Sequence, residues 1–459
     1  LAVLNKNHFI ILVAPNISEH MGGEAIKALE LFKHFKEINP NTVQITHARN
    51  RVEVTEALKL KDVYFIEDDW LTLFMWTSVI LRPLINVYFS KNAVKFAEKF
   101  AKKLKLDPKT TIIHQTGPNS PVLPRAISKT YLNTFGPING NIYYPKGLRH
   151  KETWVEKVRR SMHMPLQVLH SRFFNSLKNA DMIFVAGGER TKQSLKVGGC
   201  LSDIMVDTID SGVSDSLLDR PRVKHHGINY RFIHFGRVVK FKCTDVLIKS
   251  LTKTKNPIIL DIVGYGPEQA NCKKLVAALG LEDRVHFDDW RERDALFDSF
   301  DEYRGVILPS IGDSNGMAVQ EAMAHGLPPI CLNWGGPQIL IEHGVDGILI
   351  EPLSEGQIIE ELAFYLDHLS ENEHMAEILS MAAHQKSESW RWSSIASEWM
   401  KHYDAFDHRI EAESYYDPHI NDSNLAVDFI HNKTTNYQLV KNTFKVEIID
   451  EYDDFKHIN

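Results

Sequence analysis

Two doubly wound, Rossmann-like α/β domains facing a central cleft are the architecture this sequence predicts, and three observations carry the prediction. Short apolar runs alternate with helical patterns through both halves, as in parallel βαβ units. At 459 residues the chain exceeds one ordinary hydrophobic core. Midway, residues 219–229, with Pro221, His225, His226 and Gly227, are polar and break the rhythm.

In the first half, residues 8–14 read as a buried strand. Met21-Gly22-Gly23-Glu24 then turns into a helix with apolar positions at Ile26, Leu29, Phe32 and Phe35. Residues 63–66, 111–114 and 182–186 read as further strands. The second half repeats the pattern with strands at 231–235, 258–263, 285–287, 306–308 and 329–332. From Glu351-Pro352 helices are expected through His402, and Trp390, Trp392, Trp399 and Tyr403 have the bulk to anchor the last of them. The resulting division is a first domain at 1–218, a linker at 219–229, a second domain at 230–388, a crossing-back segment at 389–406 and an acidic extension at 407–459.

Hydrophobic residues make up 43% and charged residues 24%, a globular balance, and a net charge of −6 argues against a nucleic-acid partner. Cys200, Cys243, Cys272 and Cys331 lie far apart, which argues against a zinc site or disulfide framework and fits a reducing, cytoplasmic setting. The chain opens on Leu1, so its start is expected to be trimmed, and residues 1–7 are too short and polar for a signal peptide. Residues 71–89 are apolar but broken by Arg82-Pro83, and a lysine-rich helix follows. Packing on the first sheet is the preferred reading of that segment; peripheral contact with an anionic inner membrane face is the second.

The densest motif is Asp313-Ser314-Asn315-Gly316-Met317-Ala318-Val319-Gln320-Glu321. Asp313 falls in a loop after an apolar strand, and Glu321 inside a helix that ends near Gly326. The N–H groups of Gly316, Met317 and Ala318 lie at that helix's N-terminus, where anions are favoured. Earlier, Gly236-Arg237 ends a strand and Lys242 follows on the next turn. Alone, such a pair reads as a solvated charged turn. Gly264 and Gly266 form a glycine turn, Trp290-Arg291 could stack on a base, and Gly335-Gly336-Pro337 makes a tight turn.

In that order the motifs resemble the retaining, GT-B-fold glycosyltransferases of family 4 (glycosyl transferases group 1), with their E-x7-E, G-R-L…K-G and V-G-x-G-P segments. Asp313 replaces the family's first Glu, and Cys243 replaces the Gly after Lys, which predicts a looser turn. The resemblance implies that Arg237 and Lys242 hold a donor diphosphate, Glu321 the ribose, and Asp313 and His114 the sugar. Gly316, Met317, Ala318, Gly264, Trp290 and Arg291 would complete the donor site. Gly22 and Gly23 would form the loop that closes over diphosphate and acceptor, with Asn139 as acceptor-side scaffolding. It further implies a nucleotide-sugar donor (UDP- or GDP-), a glycan or lipid-linked acceptor, retention at the anomeric carbon, and no metal or other cofactor. A sugar-nucleotide epimerase on the same fold and a non-catalytic nucleotide-sugar-binding subunit are the alternatives.

Overall fold

The computed structural model describes residues 8–414 except 20, 22, 78–80, 82, 83, 141 and 290. Gly22, Trp290, part of the 71–89 segment and the extension beyond 414 therefore lie outside the described residues. Contacts gather the chain up to Ala405 into one compact unit. Phe406 opens a second, described only as the end of the helix Trp392–Ser414.

The first sheet contains β1 (Phe9–Val13), β2 (Thr42–His47), β3 (Val63–Ile66), β4 (Thr111–Gln115), β5 (Leu132–Ile138), β6 (Met182–Val185) and β7 (Met205–Asp207). Its order is β3-β2-β1-β4-β5-β6-β7. The second contains β8 (Arg231–Phe235), β9 (Ile259–Val263), β10 (Val285–Asp288), β11 (Gly305–Leu308), β12 (Pro329–Leu332) and β13 (Ile348–Ile350), in the order β10-β9-β8-β11-β12-β13. Neighbouring strands run parallel throughout. Helices cover both faces, which is why the central strands are continuous apolar runs. The strand order reverses between β1 and β4 and between β8 and β11. Ligands of doubly wound folds bind in the crevice outside such switch points.

The strands read from the sequence are present, and β2, β5, β7 and β13 join them. β2 alternates Thr42, Gln44 and Thr46 with apolar residues yet is buried at every position. Its polar groups bond nearby backbone, as Thr42 Oγ1 does to the Asn39 carbonyl (2.8 Å) and Gln44 Nε2 to that of Ile45 (2.9 Å). β5 contains Gly136-Pro137; proline has no N–H to give, and pairing with β6 skips from Phe135 to Ile138. β7 and β13 are edge strands of three residues each.

Trp399 seats the last long helix on the first sheet. Its ring stacks on Phe184 of β6 at 4.0 Å and 10°, and its Nε1 donates to Thr208 Oγ1 (2.9 Å). Residues 219–229 are tied down on the second half: Arg222 forks onto Glu377, the Val223 N–H donates to the His325 carbonyl (2.8 Å), and His225 Nε2 to that of Gly326 (3.1 Å).

A charge cluster joins the halves. Lys151 reaches Asp245 (2.6 Å) and Glu355 (3.3 Å), while His150 (3.1 Å) and Lys249 (2.6 Å) also meet Glu355. Burial alone would raise the Glu355 pKa. The bond from Lys249, the charge of Lys151 and the bond from His150 outweigh it and bring the carboxyl down to about 2. An unfolded Glu titrates near ~4.3. The cluster's contribution is therefore complete above pH ~5 and is lost as acid carries the folded carboxyl toward 2. Urea unfolding should show Glu355→Gln to cost about 1–2 kcal/mol at pH 7 and little near pH ~2. A cost independent of pH would remove the electrostatic account.

Candidate active site

The loops that leave β8 and β11 at the second sheet's switch point meet through one ion pair, Lys242 Nζ to Asp313 Oδ2 at 2.6 Å. Both side chains are largely buried. Arg237 lies exposed on the same β8 loop and has no ion-pair partner among the described residues. Cys243 adopts the left-handed conformation (φ 53°) that a glycine would take, so the turn after Lys242 is tight, not loose as expected. Its buried thiol is pushed up to about 12 by desolvation, which makes it packing rather than a nucleophile.

Two glycines are fixed by close approach. Gly264 has φ +135°, and a Cβ there would lie 2.1 Å from the Gly236 carbonyl oxygen, so the glycine turn serves contact with the neighbouring loop. Gly335 has φ +68°, and its Cβ would lie 2.4 Å from the Asp313 carbonyl oxygen, which accepts the Gly336 N–H (2.8 Å). The Gly335-Gly336 turn thus braces the loop that carries Asp313.

Gly316 caps the helix Met317–Ala324, and the Met317 and Ala318 N–H groups have no protein acceptor among the described residues. Met317 and Glu321 help line a cavity of about 240 Å³ between the halves. Gly23, Lys27, Ser211 and Trp392 line its other walls. Gly23 opens the helix Gly23–Ile38, and a Cβ on it would sit 3.1 Å from Met317 Sδ. Burial raises the Glu321 pKa, against the opposing pull of Arg293 and Lys242. Lys242 and Asp313 do not line the cavity, yet the Glu321 carboxyl feels the Lys242 charge.

Asn139 is buried and donates from Nδ2 to the Ser314 carbonyl (2.7 Å), tying the first half to the Asp313 loop. One sequence expectation is corrected. His114 is fully buried, away from the cleft. The Gly136 carbonyl can only accept, so the His114 Nε2 at 2.9 Å carries the proton. Nδ1 is left to accept, with the Thr134 and Tyr403 hydroxyls at 2.8 and 2.9 Å. Burial, against the Gly136 bond, takes its pKa to about 4. Arg291 is engaged by Asp288 (3.0 Å) and Ser299 (2.9 Å) in its own turn.

Arg293, which sequence reasoning passed over, is the arginine that grips Glu321. Ser211 was missed too: Gln320 Nε2 donates to its carbonyl (2.8 Å) and Asn315 to its hydroxyl. So was Lys27, buried against Asp210 (3.0 Å), with desolvation outweighed by Asp210 and Glu24 so that its pKa is raised. The only signal for Lys27 was a charge beside the apolar positions of the first helix.

Comparison with known proteins bears on this half directly. Residues 218–384 match the family model of the glycosyl transferases group 1. An uncharacterised glycosyltransferase of Haemophilus influenzae is 33% identical over 175 residues, 37% of this chain and 48% of that protein. The chain spans about half or less of the length of the curated relatives it matches first. Among solved structures, the lipopolysaccharide outer core galactosyltransferase WaaB aligns with a TM-score of 0.59 at 17% identity, over 87% of this chain and 99% of that one. HepE of Anabaena, in complex with UDP and glucose, aligns with a TM-score of 0.56 at 15% identity, over 87% and 100%. These likenesses establish the fold as GT-B, two parallel-sheet α/β domains.

His114→Ala should lower stability by about 2–4 kcal/mol, through a cavity and orphaned hydroxyls. Nucleotide affinity of the folded variant should stay within about twofold. A selective loss of affinity at unchanged melting temperature would return His114 to the site.

Proposed function

We propose that this protein is a retaining, metal-independent glycosyltransferase. It would move a sugar from a UDP- or GDP-sugar to a glycan or lipid-linked acceptor. The observation that carries the reading is the placement, at the switch point of the stretch that matches the group 1 model, of Lys242, Asp313 and Glu321 beside Arg237 and the Met317 and Ala318 N–H groups, which have no protein partner among the described residues.

Breaking a glycosidic phosphate bond builds negative charge on the leaving diphosphate. Arg237, Lys242 and the helix N-terminus are placed to stabilise that charge without reorganising. Asp313 would orient sugar hydroxyls and hold Lys242 in place, and Glu321, steadied by Arg293, would accept from the ribose. The leaving phosphate would take the acceptor's proton, which accounts for retention without a separate base. The UDP and glucose of HepE and the outer-core role of WaaB support a UDP-sugar and a surface-glycan acceptor as first choices.

An epimerase would need free acid–base carboxylates on the first half. Those lining the cavity there, Glu19 and Glu30, are both tied to Lys33 (3.2 Å each). That disfavours the alternative.

Calorimetric titration with UDP, GDP and ADP, without added metal, tests the reading. One of them should bind; silence from all three would overturn it. Lys242→Ala should weaken the binding diphosphate at least ~10-fold while leaving the matching nucleoside unchanged. Equal weakening of both would remove the diphosphate role. Glu321→Gln should cost affinity for the nucleotide and not for its 2′-deoxy form, since a ribose contact is what the carboxylate supplies.

A further inference from the structure

The helix Trp154–Phe173 is inside out. A helix on a globular body turns its apolar stripe inward. Here the fully buried positions are polar, Gln167 and His170. Val155, Val158, Met162, Leu166, Leu169 and Phe173, spaced three or four apart and hence on one face, are each at least 40% exposed. Trp154, at the start of this face, is 76% exposed. The helix is nevertheless firmly built: Thr153 and Glu156 form a capping box, Gln167 Nε2 donates to the Pro121 carbonyl (3.2 Å), and Tyr144 donates to Glu156 (2.9 Å).

The charges around the stripe indicate its partner. Arg159 and Arg172 on the helix, and Arg149 just before it, have no ion pair among the described residues. The acids nearby are turned inward, Glu152 onto Arg160 (2.9 Å) and Glu156 into its cap. A second copy of this chain on the stripe would set these cations against their like. An anionic lipid surface would take the apolar residues into its acyl boundary and the cations onto its headgroups. No helix among the described residues is long and apolar enough to cross a membrane. The helix also adjoins the cleft, since His163 packs on Tyr143 at 5.6 Å and the Tyr143 carbonyl accepts Trp334 Nε1–H (2.9 Å), next to the Gly335-Gly336 turn.

We propose that the exposed face of the helix Trp154–Phe173 docks flat on an anionic membrane surface and brings the cleft to a membrane-borne acceptor. The acceptor clause rests on the transferase reading; the lipid contact does not. The peripheral contact weighed as the second reading of 71–89 is not needed for it.

The test is flotation of the full chain with vesicles of phosphatidylcholine, alone or with about one-third phosphatidylglycerol. The protein should float with the anionic vesicles, stay behind with the neutral ones, and be released by about 0.5 M NaCl. The V158S/M162S/L169S variant should lose at least roughly tenfold in vesicle affinity, since three buried apolar side chains are given up. Nucleotide binding by calorimetry should not change, so a failed vesicle arm and a failed donor arm are told apart. Flotation that persists in the triple variant would overturn the proposal, as would absence of binding to anionic vesicles. A dimer in sedimentation that the triple variant dissolves would assign the face to a second copy and overturn it equally.

Discussion

The constraint on which the second half depends is backbone-on-backbone packing at the carboxyl ends of β8, β9, β11 and β12. The Gly264 turn lies against the Gly236 carbonyl, and the Gly335 turn against that of Asp313. A side chain at either glycine would push these loops apart by ångströms. Held together, they bring a cation from the β8 loop and a carboxylate from the β11 loop to 2.6 Å, and no regular element intervenes. Site geometry is therefore set by the sheet's strand spacing, which is rigid, rather than by the loops' own preferences. Cys243 shows the strength of the constraint. A non-glycine residue held at φ 53° costs about 1–2 kcal/mol, and the buried thiol's packing offsets some of it.

The charges of the cleft are already paired without a ligand: Lys242 with Asp313, Glu321 with Arg293, Lys27 with Asp210. A buried charge left alone would cost several kcal/mol, so each of these buried groups has a protein partner in waiting. The pairs differ in how readily they can be shared. Lys27–Asp210 is shut away from solvent and lies within the first half, so it braces the cavity wall. Lys242 has three N–H donors and Asp313 occupies one, so the ammonium can bridge a carboxylate and a phosphate together. Among the described residues Arg237 carries no such partner. An anion entering the cleft would therefore meet its charge together with the half-neutralised Lys242.

What the sequence made legible follows from where each residue's partners come from. Arg237, Lys242 and Asp313 sit between strands and helices of one sheet and Glu321 in the helix that follows, so chain order alone predicts their neighbourhood; Lys242 pairs with Asp313, and the Glu321 carboxyl feels the Lys242 charge. Arg291 and Arg293 differ by two positions, and which one faces Glu321 depends on the start of the helix Arg293–Asp298, a boundary no local pattern specifies. His114 was misread because its decisive partner, Tyr403, is 289 positions away. The strands β2 and β5 were hidden by polar residues and a Gly-Pro step, which tertiary burial overrides. Ser211 and Asn139 bond across to the second half, and Lys27 meets Asp210 183 positions away, partners that only the assembled fold supplies.

The helix Trp154–Phe173 shows the limit from the other side. Its apolar spacing is an ordinary helical period, and any reading of periodicity alone would turn that stripe into the core. Only burial shows that the stripe faces out and that glutamine and histidine face in. The inward polar face has a cost: Gln167 and His170 are desolvated side chains where leucines would pack without penalty. A fold that carries such a cost while leaving several large apolar side chains in water marks that stripe as a contact surface. The basic rim narrows that contact to an anionic surface. The helix's closeness to Tyr143 and Trp334 then makes position on that surface and access to the cleft a single geometric variable.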